Sequence, residues 1–379
     1  MGELVSELLP GGRVDLDALS PQPFSARRAA LARSLTVGGV EAALLVEQPS
    51  NVRYLTGFTG SAGVVLVDRD GVAQLLTDER YRERAAAECA ELEVVVATRA
   101  GQRDHVLGRA KAAGGLALEA EHVTWARQQD WSSELADDVP VLPTTRLVEE
   151  LRLVKDEAET QRIATAAAVA DACLADALPL LTIGATELEI RRHIEGRMVA
   201  LGADGPGYDT IVASGPFSSR PHHAAGDRVV EQGDLVVIDV GAAVDGYTSD
   251  MTRTFVVGAP DDEQSAMFEL ARAAQAAGVA AVREGVTGDQ VDGAAREVIA
   301  AAGRGDEFVH GVGHGLGLQI HEVPFLLGSH VPLRAGQVVT VEPGVYRPGF
   351  GGVRVEDTVV VTVDGCRTLT HHPKDFILD

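Results

Sequence analysis

Gly233-Asp234-Leu235-Val236-Val237-Ile238-Asp239-Val240-Gly241 and Gly336-Gln337-Val338-Val339-Thr340-Val341-Glu342-Pro343-Gly344 are two versions of one pattern. In each, a glycine opens an apolar, β-branched run, and a carboxylate follows six residues later, Asp239 or Glu342. A carboxylate buried in such a strand is costly unless it is paired or bound to a metal. Two of them at matching points of a repeat suggest one site built from two halves.

The echo extends upstream. Before the first strand, a helix from Asp156 to about Leu178 carries Ile163, Ala167, Ala170, Leu174 and Leu178 on one face, with Pro179 near its end. Gly184-Ala185-Thr186 follows, then a helix whose Thr186 and Glu189 form a capping box. Before the second strand, a helix carries Met267, Leu270, Ala274, Ala277 and Ala281, followed by Gly285-Val286-Thr287 and another helix. The Gly-x-Thr copies lie 101 residues apart (184 to 285), and the acid strands 103 (233 to 336). Two landmarks with nearly one offset predict an internal duplication. Two copies are too few for a solenoid. The expected fold is a pseudo-twofold α+β domain with one shared sheet.

Residues 1–23, with Pro10, Gly11, Gly12, Pro21 and Pro23, read as a loose leader. Residues 24–148 read as a smaller α/β domain, with strands at 42–46, 63–67, 72–76 and 92–96 and helices at 78–90 and 124–136. It holds no cluster of ligand-type residues. Pro140 and Pro143 mark the boundary to a catalytic domain over 149–379.

The net charge of −23 argues against nucleic acid or anionic lipid as a main partner, because phosphate binding needs a basic surface. Cys89, Cys173 and Cys366 are odd in number and far apart, which suits free thiols in a reducing compartment. No signal peptide is visible, and no stretch reaches the ~20 apolar residues of a membrane span. The expected location is the cytoplasm.

Past the first acid strand, Asp245-Gly246 is a two-residue hairpin signal. That register pairs Val244 with Tyr247, Gly241 with Asp250 and Asp239 with Thr252. Asp239 and Asp250 then share a face, roughly 7–8 Å apart at the backbone. Like charges there repel unless a cation lies between them. In the second half, Gly351 to Thr358 reads as a strand with Arg354 and Glu356 on one face, so that Glu356 stands to Glu342 as Asp250 stands to Asp239. Arg354 is placed to orient a carboxylate or a substrate group.

His310-Gly-Val-Gly-His314-Gly-Leu-Gly-Leu-Gln-Ile-His321 lies between the two acid pairs, and His222-His223 precedes the first acid strand. The glycine string does not join a strand to a helix in a βαβ unit, which argues against a phosphate loop. His105, His122, His193, His330, His371 and His372 are read as structural. Four carboxylates and one imidazole suit Mn²⁺, and less specifically Fe²⁺, Co²⁺ or Zn²⁺. So much negative charge matches two divalent ions rather than one.

The segments "RPHHAAGDRVVEQGDLVVIDVG", "DGYTSDMTRTF", "HGVGHGLGLQIHEVP" and "VEPGVYRPGFGGVRVEDTVVV" resemble the pita-bread metallopeptidases: prolidase, aminopeptidase P and methionine aminopeptidase. "NVRYLTGFTGSAG" and the N-terminal α/β domain, of creatinase type, resemble the Xaa-Pro-cleaving branch. The resemblance implies metal ligands at Asp239, Asp250, His314, Glu342 and Glu356. It implies substrate and proton-transfer roles for His222 and His321, a proton carried by Glu342, and support from Arg354. It also implies a homodimer acting on small peptides with proline second. Phe217 and Arg220 depart from the family pattern, which bears on a substrate loop.

The expected function is a dinuclear Xaa-Pro aminopeptidase. The alternative is an Xaa-Pro dipeptidase, which the ligand set cannot separate from it. A metal-free amidinohydrolase of the same fold, or a retired binding scaffold, fits poorly with five intact ligand positions.

Overall fold

The computed structural model describes residues 8–135 and 138–377. These form two compact units. Pro21–Arg152 makes one; the other joins the described residues before Pro21 to those from Leu153 onward.

The first unit is built on a six-stranded mixed sheet. Its order is Glu93–Val96, Ala73–Thr77, Gly63–Val67, Ala43–Val46, Leu116–Glu119, Val141–Thr144. The four strands read from the sequence are present. Leu116–Glu119, Val141–Thr144 and the helices Phe24–Val37, Pro49–Thr56 and Arg99–Ala113 were not anticipated. The helix expected over 78–90 is a 3₁₀ turn, Glu79–Tyr81, then Arg82–Glu88. The helix expected over 124–136 runs Trp125–Glu134; Ala136 lies outside the described residues. The turn Glu149–Arg152 stays with this unit rather than opening the next. The Arg152 Nη1 donates to Asn51 Oδ1 at 2.6 Å, and the Tyr54 hydroxyl donates to the Leu151 carbonyl at 3.1 Å.

The expected leader is not loose over its described part. Leu9 is 2% exposed within the core of the second unit. The Val14 N–H donates to the Leu201 carbonyl at 2.8 Å, and the Ser20 N–H to Gln161 Oε1 at 2.8 Å. Residues 1–7 lie outside the described residues.

The second unit carries the duplication. Helices Glu157–Ala177 and Glu187–Ala200 serve one half, and Asp262–Ala281 and Gly288–Ala301 the other. Capping boxes at Thr186/Glu189 and Thr287/Gln290 start the second helix of each half. The Gly184 and Gly285 N–H groups donate to the carbonyls of Val230 and Leu333, and the Val230 and Leu333 N–H groups return to Ala185 and Val286. Gly233 (φ 83°) and Gly336 (φ 87°), which open the two acid strands, are both left-handed, a conformation only glycine adopts freely.

The expected single sheet is divided. Ile211–Ser214, Leu235–Val240 and Met251–Val256 form one antiparallel sheet. Glu322–Phe325, His314–Gly315, Val338–Val341, Asp357–Val361 and Cys366–Thr368 form another. Gly344–Arg347 and Gly351–Arg354 make a separate ladder. The strand expected over 351–358 is thus broken at Val355–Glu356, where the chain passes from one ladder to the next. Pro343 marks the same break on the facing strand, having no N–H to continue it.

On the helix Asp262–Ala281 the buried face is Met267, Phe268, Ala271, Ala274 and Gly278, turned from the one expected through Leu270 and Ala277. Gly278 packs close: a Cβ there would meet Val341 Cγ1 at 2.7 Å. The segment Glu157–Leu180 is long and apolar enough to cross a membrane by length and composition alone, but it carries Asp171 and Asp176 and most of it is buried within the unit.

Asp171 on that helix is fully buried, and it accepts from the backbone N–H groups of His371 and His372 at 2.9 Å each. Burial pushes its carboxyl up to about 6. Asp171→Ala strands two donors that sit largely out of water, at a cost of about 2–4 kcal/mol. Thermal denaturation should show a Tm lower by several degrees; an unchanged Tm would show that the C-terminal segment does not rely on this anchor.

Candidate metal centre

The centre begins with a turn. Asp245 (φ 46°) and Gly246 (φ 77°) are both left-handed, as a tight two-residue hairpin requires. Val244 pairs with Tyr247 and Asp239 with Thr252, in the register read from the sequence. Asp239 and Asp250 therefore point to one side. The Tyr208 hydroxyl lies 2.5 Å from Asp239 Oδ1 and 2.6 Å from Asp250 Oδ1, so two acids share one phenol.

Glu356 joins this pair. One carboxylate oxygen from each of Asp239, Asp250 and Glu356 lies within 4.8 Å of the others. The registers explain it. Val341 pairs with Asp357, so Glu356 follows one step on, directly across from Glu342, as Thr252 lies across from Asp239. By the repeat, Glu356 is the counterpart of Thr252, and Arg354 is the counterpart of Asp250. The equivalence expected from the sequence was displaced by two residues, which preserves the face but changes the neighbour. Thr252 Oγ1 donates to Glu356 Oε2 at 2.6 Å. Glu356 Oε1 is buried with no hydrogen-bond partner among the described residues.

Glu342 faces the imidazole instead. His314 Nε2 lies 3.4 Å from Glu342 Oε1 and 3.6 Å from Asp250 Oδ2. Its Nδ1 lies 3.0 Å from the Gly315 carbonyl, which places the proton on Nδ1 and leaves Nε2 as a lone pair. Burial pulls the His314 pKa down to about 4, so the ring is neutral near pH 7.

The acids pay for their setting. Burial, then repulsion from Asp239 and Glu342, holds the Asp250 carboxyl well above the usual range. Burial, then repulsion from Asp250, does the same to Glu356. Burial also raises Glu342. Arg354 is the buried cation among them. Its Nη2 donates to Asp239 Oδ2 at 2.7 Å, Nε to Thr252 Oγ1 at 3.0 Å and Nη1 to the Tyr346 hydroxyl at 2.8 Å.

Asp239, His314, Glu342 and Arg354 open onto a cavity of about 360 Å³, lined also by His222, His310, His321, Phe325 and Leu327. Asp250, Glu356 and Tyr208 line a second cavity of about 320 Å³ that shares Asp239, His314 and Glu342 with the first. The His321 and His314 rings meet edge to face with centroids 4.4 Å apart. His223 is turned to Glu187, 2.8 Å from Oε2. Phe217 packs against His223, and Arg220 lies 4.2 Å over Phe217. The two departures noted in the sequence thus form one stack beside the histidine pair.

Tyr208, Tyr346, His310 and Thr252 were not singled out from the sequence. His310 lay in the histidine string, but its partner, the Tyr346 hydroxyl 3.0 Å away, is on a different strand. Tyr208 stands in a loop with no periodicity to flag it.

The family model "Metallopeptidase family M24" matches residues 161–363, and "Creatinase/Prolidase N-terminal domain" matches residues 27–154. The chain is 35% identical over 336 residues to an Xaa-Pro dipeptidase of Pyrococcus furiosus, covering 88% of this chain and 94% of that protein. The structure of an Xaa-Pro dipeptidase from Bacillus anthracis superposes with a TM-score of 0.89 at 37% identity, covering 94% of this chain and 100% of that one. An X-Pro aminopeptidase from Thermotoga maritima gives 0.86 at 34% identity, covering 93% and 99%. With its creatinase-type N-terminal domain and pita-bread catalytic domain, the chain belongs to metallopeptidase family M24 and is a metal-dependent hydrolase.

Proposed function

We propose that this chain is a two-metal hydrolase of the peptide bond before proline, with Xaa-Pro dipeptides as its main substrates. The observation that carries the reading is the crowding of Asp239, Asp250 and Glu356 beside His314 and Glu342, with Glu356 Oε1 buried and unpartnered. Buried carboxylates and a neutral imidazole lone pair turned toward one another fit cations and little else. Asp239, Asp250, His314, Glu342 and Glu356 would hold the ions. Mn²⁺ suits this oxygen-rich set best, with Co²⁺, Zn²⁺ or Fe²⁺ as substitutes. Bound divalent ions would acidify a water molecule and polarise the scissile carbonyl.

The chain's own groups do the rest. Glu342 takes a proton from the attacking water and delivers it to the proline nitrogen, which has no N–H of its own and must gain one to leave. His222 and His321 donate hydrogen bonds to the carbonyl oxygen as its charge grows. Arg354 holds Asp239 in place and offsets part of the acidic charge. Three free cysteines suit a cytosolic setting.

The names of the relatives favour the dipeptidase reading over the aminopeptidase expected from the sequence. One observation favours the aminopeptidase. The arginines lining the site, Arg191 and Arg354, are already paired with Glu195, Asp209 and Asp239, and the cavity adds Phe325 and Leu327. Nothing among these residues is reserved for a free proline carboxylate.

Glu356→Ala and His314→Ala should each lower kcat by at least about 10³-fold while the far-UV spectrum stays native; turnover near wild type would sink the two-metal assignment. Metal analysis of active protein should find two ions per chain, with activity lost to a chelator and restored by Mn²⁺. A single tightly held ion at full activity would reduce the mechanism to one metal. Comparison of Ala-Pro with Ala-Pro-Ala should show the dipeptide preferred in kcat/KM; preference for the tripeptide would return the assignment to the aminopeptidase.

A further inference from the structure

Lys155 and Glu322 form an ion pair of 3.1 Å, with side chains 1% and 6% exposed. A pair this deep is costly to desolvate, and an apolar pair of like volume is often as stable. Its location is informative. Glu322 directly follows His321, and its other carboxylate oxygen accepts from the Gln319 N–H at 3.0 Å. The carboxylate therefore closes the loop that carries His321, packed so near Gly317 that a Cβ there would meet Glu322 Oε1 at 3.0 Å. Lys155 is tied at its backbone to the second acid strand: its N–H donates to the carbonyl of Gly336 at 2.9 Å.

His321 itself has no hydrogen-bond partner among the described residues. Its ring meets His314 edge to face and is otherwise open to the cavity. An imidazole with no bond of its own is only as well placed as its backbone. We propose that Lys155 and Glu322 are positioning residues for the reaction, a buried charge pair that holds the His321 loop against the strand leading to Glu342. The proposal rests on the role assigned to His321 above. The pair orients and does not touch substrate.

The test is a double-mutant cycle on the Mn²⁺-loaded enzyme with Ala-Pro. Lys155→Met and Glu322→Gln should each lower kcat by about 10- to 100-fold, as a displacement near 1 Å would, with KM and bound metal little changed. In a His321→Ala background the same substitutions should add no further loss, because the group they position is gone. Lys155→Arg should recover most of the rate. Should either single variant fail to fold, Lys155→Met/Glu322→Met removes both charges at similar volume and should show the same kcat loss in a stable protein. A folded variant with wild-type kcat, a loss that multiplies with that of His321→Ala, or a loss explained by missing metal would overturn the positioning role. Wild-type activity in His321→Ala alone would overturn the role given to that histidine, and the proposal with it.

Discussion

The constraint on which the catalytic unit depends is electrostatic. Asp239, Asp250 and Glu356 bring oxygens within 4.8 Å of one another, in a space where water does little to screen them. Glu342 adds a fourth acid, and Arg354 is the buried guanidinium among them. Left alone, such a cluster would hold protons or drive its strands apart. The surroundings supply what offsets the charge: the Tyr208 phenol shared by two aspartates, the Thr252 hydroxyl on Glu356, and three Arg354 hydrogen bonds. Family M24 membership makes metal the further partner.

The two halves are held in register by bonds that the repeat makes reciprocal. Thr254 pairs with Val237, and Thr358 with Thr340, so the two threonines are equivalent. The Thr254 hydroxyl donates to the carbonyl of Arg354 at 2.9 Å, and the Thr358 hydroxyl donates to the carbonyl of Asp250 at 2.7 Å. Asp250 and Arg354 are themselves counterparts. The Glu356 N–H donates to the Thr252 carbonyl at 3.1 Å, between another equivalent pair. Symmetry thus governs the backbone, while the side chains diverge. Where one half has Asp250 and Thr252, the other has Arg354 and Glu356. Each half thus contributes two acids, and Arg354 stands as a cation where the other half has Asp250.

Much of this was legible from residues close in sequence. The Asp245-Gly246 turn sets the parity of every residue through Thr252, so the common face of Asp239 and Asp250 followed from counting. Thr186 announced its helix start because a capping box is local, and the Gly-x-Thr copy ending at Thr287 marked the equivalent point in the second half. The partner of Glu356 was not legible. Its strand changes ladders at Val355, and no periodicity reports a change of partner. Tyr208, Tyr346 and His310 escaped for a related reason: each contributes through side-chain contacts that no local period or turn reports. The N-terminal unit lost two strands and three helices to the same limit, since short apolar runs such as Leu116–Glu119 look alike in any setting.

By itself, the sequence determined the duplication, the two acid strands and the identity of the acids and histidines, because these depend on composition and on periods of two and 3.6 residues. Only the tertiary structure decided which acid meets which. Glu356 belongs beside Asp239 and Asp250, Glu342 beside His314, and Lys155 beside Glu322. Those pairings arise where separate ladders cross the pseudo-twofold axis or where distant loops meet. Their energies come from burial and charge at contact distance, neither of which exists until the chain has folded.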